Sequence, residues 1–215
     1  MAREDRMGNR KTRQQRLKQR VPDLGYYLIV TDTEGTERCY FNGLHDDLPA
    51  DLKDRLVIKV IETSTSELIR KCLEYTVYNA QYREPWIIFD RDQVKDFDHI
   101  IELAFKNQIN VGWSNPCFEI WMHAYYGYMP SIENSRNCCS KFSQLYKKKT
   151  GQKYDKTDET IYKRLKETGD EDKAIRVAEL RFKAQHDLKK SKPSEMCPCT
   201  TVHMLVNELR GKANI

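Results

Sequence analysis

The chain reads as an α/β protein: a central parallel sheet flanked by helices, with a helical C-terminal subregion. Three observations predict it. Short apolar runs rich in β-branched and aromatic residues recur at 26–30, 56–61, 86–90 and 109–114. Between them lie stretches whose apolar residues return every three or four positions, the helical spacing. The alternation of the two requires crossover connections and so a parallel sheet.

Each element has a local reason. Gly25 opens the first strand at 26–30, and Gly35 permits a tight strand-to-helix turn into a short helix over 36–44. The second strand, 56–61, runs into Thr63, Ser64 and Ser66, which are caps for a helix carrying Leu68, Ile69, Cys72, Leu73 and Tyr75. Pro85 ends the next connector, and Trp86-Ile87-Ile88-Phe89 is apolar on both faces, as a strand covered on both sides must be. Asp96 caps a helix with Phe97, Ile100, Ile101 and Ala104. After the fourth strand, Asn115-Pro116-Cys117 leads to a helix from about Phe118, since proline suits a helix start. Residues 131–170 are polar and carry helical patches around Phe142 and Ile161. A further helix spans 171–190, and Cys197-Pro198-Cys199 reads as a loop feeding a last helix.

Three parts follow: a basic flexible arm over 1–22, an α/β core over 23–130, and helices over 131–215 that pack on the core. The arm holds eight Arg and Lys between Arg3 and Arg20 against Glu4 and Asp5, too little apolar surface to build a core. Such an arm either touches nucleic-acid phosphates or keeps the chain in solution. The whole carries a formal charge of +5, with 32% charged and 39% hydrophobic residues, the balance of a globular protein. No apolar run reaches the roughly 18 residues that cross a bilayer, and no apolar segment follows the basic start as in a secretory leader. Seven cysteines without framework spacing fit a reducing cytoplasm, with Cys138-Cys139 a reduced pair.

The chemistry-bearing residues gather at strand ends. Asp90 and Asp92 follow the third strand two residues apart, on one side if the strand continues. Two close carboxylates repel unless a cation lies between them, and oxygen donors favour Mg²⁺ or Mn²⁺. A solvated Asp-x-Asp turn is the plainer alternative. Glu34 follows the first strand at the same sheet edge, where dipole compensation at a helix start would also place an acid. Glu119 and His123, four apart, share a helix face directly after the fourth strand. Arg91 steadies a phosphate or anchors its loop. Phosphate-binding glycine loops of the Gly-x-x-x-x-Gly-Lys-Ser/Thr and Gly-x-Gly-x-x-Gly types are missing. Cys197, Cys199 and His203 lack the spacing of common zinc motifs. Trp113, Trp121, Tyr125 and Tyr126 read as core.

Four blocks in this order resemble the RloB family, bacterial proteins of phage-defence loci with a Toprim-like (Rossmann-like) sheet. They are 30–41 with its Glu-Gly-Thr-Glu, Phe89-Asp90-Arg91-Asp92, the run Ser114 to Trp121, and Cys199-Thr200-Thr201-Val202-His203. An extra acid, Asp32, precedes Glu34 where the family pattern has none. The resemblance implies a divalent-metal-dependent nuclease acting on DNA or RNA, tRNA included, as a cytoplasmic effector of antiviral defence. Asp90 and Asp92 would hold Mg²⁺ or Mn²⁺, Glu34 would be a further ligand or acid/base, and Glu119 would complete a second metal position. His123 and His203 would move protons or contact phosphate. Any ATP-driven step would come from an ABC/AAA-type ATPase partner. The rival expectation is a non-catalytic metal- and nucleic-acid-binding partner of such an ATPase. Oligomeric state stays open.

Overall fold

A computed structural model describes residues 25–32, 35–53, 56–77, 84–92 and 94–213. The basic arm and Glu34 lie outside the described residues. In chain order the elements are β1 (Gly25–Asp32), α1 (Thr36–Asp46), α2 (Ala50–Lys53), β2 (Leu56–Thr63), α3 (Leu68–Val77), β3 (Glu84–Asp90), α4 (Phe97–Lys106), β4 (Asn110–Asn115), α5 (Glu119–Ala124), α6 (Ser135–Thr150), α7 (Ile161–Thr168), α8 (Glu171–Asp187), β5 (Cys199–Thr200) and α9 (Val202–Ala213). Short 3₁₀ turns precede α3 and β5.

The strands form one sheet in the order β2-β1-β3-β4-β5. The first four are mutually parallel, and β5 runs antiparallel to β4. This is the α/β architecture that the alternating pattern predicts, and it is Rossmann-like, as the family resemblance implies. Two details differ from the sequence reading. The loop before the last helix contributes the two-residue β5, too short to leave any periodic signal. The third strand also stops at Asp90, with Asp92 in a turn, so period-2 geometry does not place the two acids on one side. The turn is held by the backbone: Arg91 N donates to Ser114 O at 2.9 Å and Asp92 N to Pro116 O at 3.0 Å.

Both sheet faces are covered, which explains the continuous apolar strands. Leu28, Val30, Ile87, Phe89, Val111 and Trp113 face α3 and α4. Tyr27, Ile29, Trp86 and Ile88 face a larger layer that draws on α1, α5, α6, α7, α8 and α9. The C-terminal helices thus share one continuous core with the sheet. At its centre Tyr40 meets Phe41, Phe118, Trp121, Tyr125 and Tyr162 edge-on, with ring centroids 5.2–6.3 Å apart.

One close approach gives a stability test. Gly43 sits inside α1, where alanine would ordinarily stabilise by about 1 kcal/mol. A Cβ there would stand 2.6 Å from Cβ of Tyr162 on α7. Overpacking of this kind costs about 1–3 kcal/mol, so Gly43→Ala is expected to lower the urea midpoint. A midpoint equal to or above the wild type would contradict the α1–α7 packing.

Candidate functional site: an acid cleft at the switch point of the sheet

In the order 2-1-3-4, chain connections leave β1 in one direction and reach β3 in the other. The carboxyl ends of β1 and β3 therefore flank the crevice where open α/β sheets take ligands. Register places Thr31 beside Ile88, so β1 ends at Asp32 and β3 at Asp90 on the same edge. A cleft of about 410 Å³ opens there. Its walls include Asp32, Glu37, Asp90, Asp92, Glu119 and Lys156.

Each wall residue is positioned by its element. Glu37 stands in the first turn of α1, immediately after the β1 turn, and is 7% exposed. Glu119 opens α5 and is 1% exposed. The hydroxyl of Tyr154 donates to Glu119 Oε1 at 2.8 Å. Because its single proton is spent there, Thr36 Oγ1, 2.8 Å away, is the donor to Tyr154. The Lys156 ammonium lies 3.5 Å from the same Glu119 oxygen. Thr65 Oγ1 donates to Asp32 Oδ2 at 3.3 Å.

Packing these acids together raises the cost of ionising them. Burial, with the negative charge of Asp92, pushes Asp32 up to about 6 against the Thr65 hydrogen bond. Burial, then Asp90, Asp32 and Glu119, push Glu37 well above the usual carboxylate range. Burial, then Asp32, Glu119 and Asp92, do the same to Asp90. Glu119 goes the other way. Burial pushes it up, but Lys156 and hydrogen bonds from Cys117, its own backbone and Tyr154 hold it low. The site therefore pairs one carboxylate whose ionisation is favoured, Glu119, with three whose ionisation is resisted in the absence of a cation, Asp32, Glu37 and Asp90.

The sequence-derived candidates separate on this map. Asp90, Asp92 and Glu119 come together in the cleft. His123 and His203 are not among its walls. His123 is 1% exposed, packs against the rings of Tyr128 and Phe142, and burial lowers it to about 4. His203 is 5% exposed, its Nδ1 stands 3.1 Å from Thr200 O, and burial lowers it too. Glu119 and His123 share α5, yet one faces the cleft and the other the α6 side of the core.

Four contributors were not singled out by the sequence. Asp32 entered only as a departure from a pattern. Glu37 lies in the first turn of α1, where an acid meets the positive end of the helix dipole, and that position was the available signal. Tyr154 and Lys156 come from the polar stretch between α6 and α7, and nothing local marks them. Arg91 lines a neighbouring cleft of about 810 Å³ with Lys95 and Arg136, sharing Asp92 as a wall.

Among the described residues, one group of three could hold a metal ion by the proximity of its donor atoms: Cys117, Glu119 and Cys139, within 4.8 Å of one another. No described helix is long and apolar enough to cross a membrane. The model of a family described as RloB-like protein matches residues 27–209. The chain belongs to that RloB-like family. No curated protein and no solved structure matches it.

Proposed function

We propose that this RloB-like protein is a divalent-metal-dependent nuclease with a Toprim-like site, working in the cytoplasm as an antiviral effector beside an ABC/AAA-type ATPase. One observation carries the reading: Asp32, Glu37, Asp90 and Asp92 converge at the β1/β3 switch point, where burial and neighbouring negative charge raise the affinity of Asp32, Glu37 and Asp90 for positive charge. An oxygen-only donor set under mutual repulsion fits Mg²⁺ or Mn²⁺. Asp90 and Asp92, with Asp32 from β1, would hold the ion. When bound it would stabilise charge on a phosphate and lower the pKa of a coordinated water. Glu37 supplies the other requirement. It is a buried carboxyl whose proton stays on well above the usual range, the property of a general acid. Lys156, which also lines the cleft, offers a positive charge where a phosphate would need one. Glu34 keeps its proposed role as further ligand or acid/base on sequence grounds.

The test uses labelled DNA and RNA, tRNA included, with the purified chain alone and with its ATPase partner. Cleavage is expected in Mg²⁺ or Mn²⁺ and none in EDTA. Nucleic-acid binding without cleavage in every condition would overturn the nuclease reading and leave the non-catalytic partner role.

A further inference from the structure

The geometry points to a second cation site of different chemistry: Cys117, Glu119 and Cys139 form a three-ligand site for a zinc-class ion on the wall of the acid cleft. The donors come from two elements. Cys117 and Glu119 stand either side of the α5 start, and Cys139 lies on α6, which packs against α5. Their ligand atoms all lie within 4.8 Å of one another. The two sulfurs are 3.9 Å apart. A tetrahedral ion with Zn–S bonds of about 2.3 Å spaces its sulfurs about 3.8 Å apart, so the pair already sits at the edge length. A disulfide would need about 2.05 Å, and all seven cysteines are free thiols.

The donor set also selects the ion. Two sulfurs and one oxygen suit zinc and its soft relatives and repel the interest of magnesium, which takes oxygen. Three anionic ligands around a doubly charged ion leave one negative charge. Lys156, 3.5 Å from Glu119, neutralises it. Three protein ligands leave a fourth position, the pattern of sites that hold a water or substrate atom. Glu119 also lines the acid cleft, so the soft ion would sit beside the carboxylates and fix α6 to that wall.

The competing account is a thiol cluster joined by hydrogen bonds, with Cys117 Sγ also 3.9 Å from Ser135 O. Titration of the reduced full chain with Cd²⁺ separates the two, because a bound Cd²⁺ gives a thiolate charge-transfer band in the ultraviolet whatever the catalytic state. One Cd²⁺ per chain and displacement by Zn²⁺ are expected. Cys139→Ser, at a half-buried position, should weaken binding by more than about 100-fold, since losing even an outer partner of a ligand costs 10–100-fold. Glu119→Gln keeps the shape and should retain a weakened band if Cys139→Ser does not fold. Asp90→Asn should leave the band intact. No band in the wild type, an unchanged band in Cys139→Ser, or a band lost in Asp90→Asn would each overturn the site. The last result would make the thiolate band depend on the aspartates and so deny an independent site. The readout does not depend on cleavage, so this site and the nuclease reading fail separately.

Discussion

Asp90→Asn is expected to fold, to melt higher than the wild type without added metal, and to lose metal-dependent cleavage by at least about 10³-fold. The first two outcomes follow from the cluster. Asp90 is half-buried at the tip of β3, where burial and then Asp32, Glu119 and Asp92 resist its ionisation. Asparagine keeps the shape and removes the charge that those neighbours oppose. The third outcome follows from the proposed role. A metal contributes several kcal/mol to transition-state charge stabilisation, and each 1.36 kcal/mol is tenfold in rate. Asp92→Asn is the companion. Asp92 is exposed in the turn after β3, so its loss should weaken metal binding with little change in melting. Cleavage rate, isothermal metal titration and melting, measured on the same preparations, decide the matter. An Asp90→Asn variant that cleaves at the wild-type rate would remove the acid cleft from the mechanism. A variant that loses activity together with stability would reduce Asp90 to a structural residue.

Much of the frame was readable from residue order because it depends on local pattern. The run 86–89 is apolar on both faces, and it belongs to the central strand of the five, with layers above and below. Strand and helix alternation fixed the parallel sheet, and the parallel sheet brought the ends of β1 and β3 to one edge. The site itself was legible only in part, for a physical reason. Asp90 and Glu119 belong to elements with strong periodic signals, so their positions at element ends could be inferred. Tyr154 and Lys156 reach Glu119 across some 35 residues of chain, and such contacts are set by how α6 and α7 pack, not by any spacing. Cys139 looked like one half of an adjacent pair with Cys138. Helical geometry turns neighbouring residues about 100° apart, so Cys138 is fully buried while Cys139 meets Cys117. The same rotation argument, applied to Glu119 and His123, was insufficient. Two residues on one helix face still meet different neighbours when the helix is only six residues long and all six are buried.

Asp32→Asn is expected to stabilise the protein in a pH-dependent way, and the sign can be worked out. A carboxyl whose pKa is raised by folding binds its proton more tightly in the folded chain than in the unfolded one. Folding then takes up protons, and stability falls as pH rises from the unfolded value through the folded one. For Asp32 the interval runs from an ordinary 3.8 to about 6. At 1.36 kcal/mol per pH unit, the ionised Asp32 destabilises the metal-free fold by roughly 3 kcal/mol at pH 7 and by almost nothing below pH 4. Glu37 and Asp90 shift in the same direction. His123 and His203 act in the opposite sense, because burial lowers them and acid protonates the unfolded chain first. Glu119, held low, adds a loss only at more acid pH. A bare pH profile of the wild type therefore mixes these effects; those of the histidines and Glu119 cancel in the difference between wild type and Asp32→Asn, while the relief of Glu37 and Asp90, which Asp32 pushes up, adds to it. That difference should grow from near zero at pH 4 to about 6–12 °C in melting temperature at pH 7, for a chain of this size. Saturating Mg²⁺ at pH 7 should close most of the gap by stabilising the wild type selectively. Equal differences at pH 4.5 and pH 7.5 would show that Asp32 ionises freely. In that event the carboxylates at the switch point would not share a field, and the basis for a cation among them would be gone.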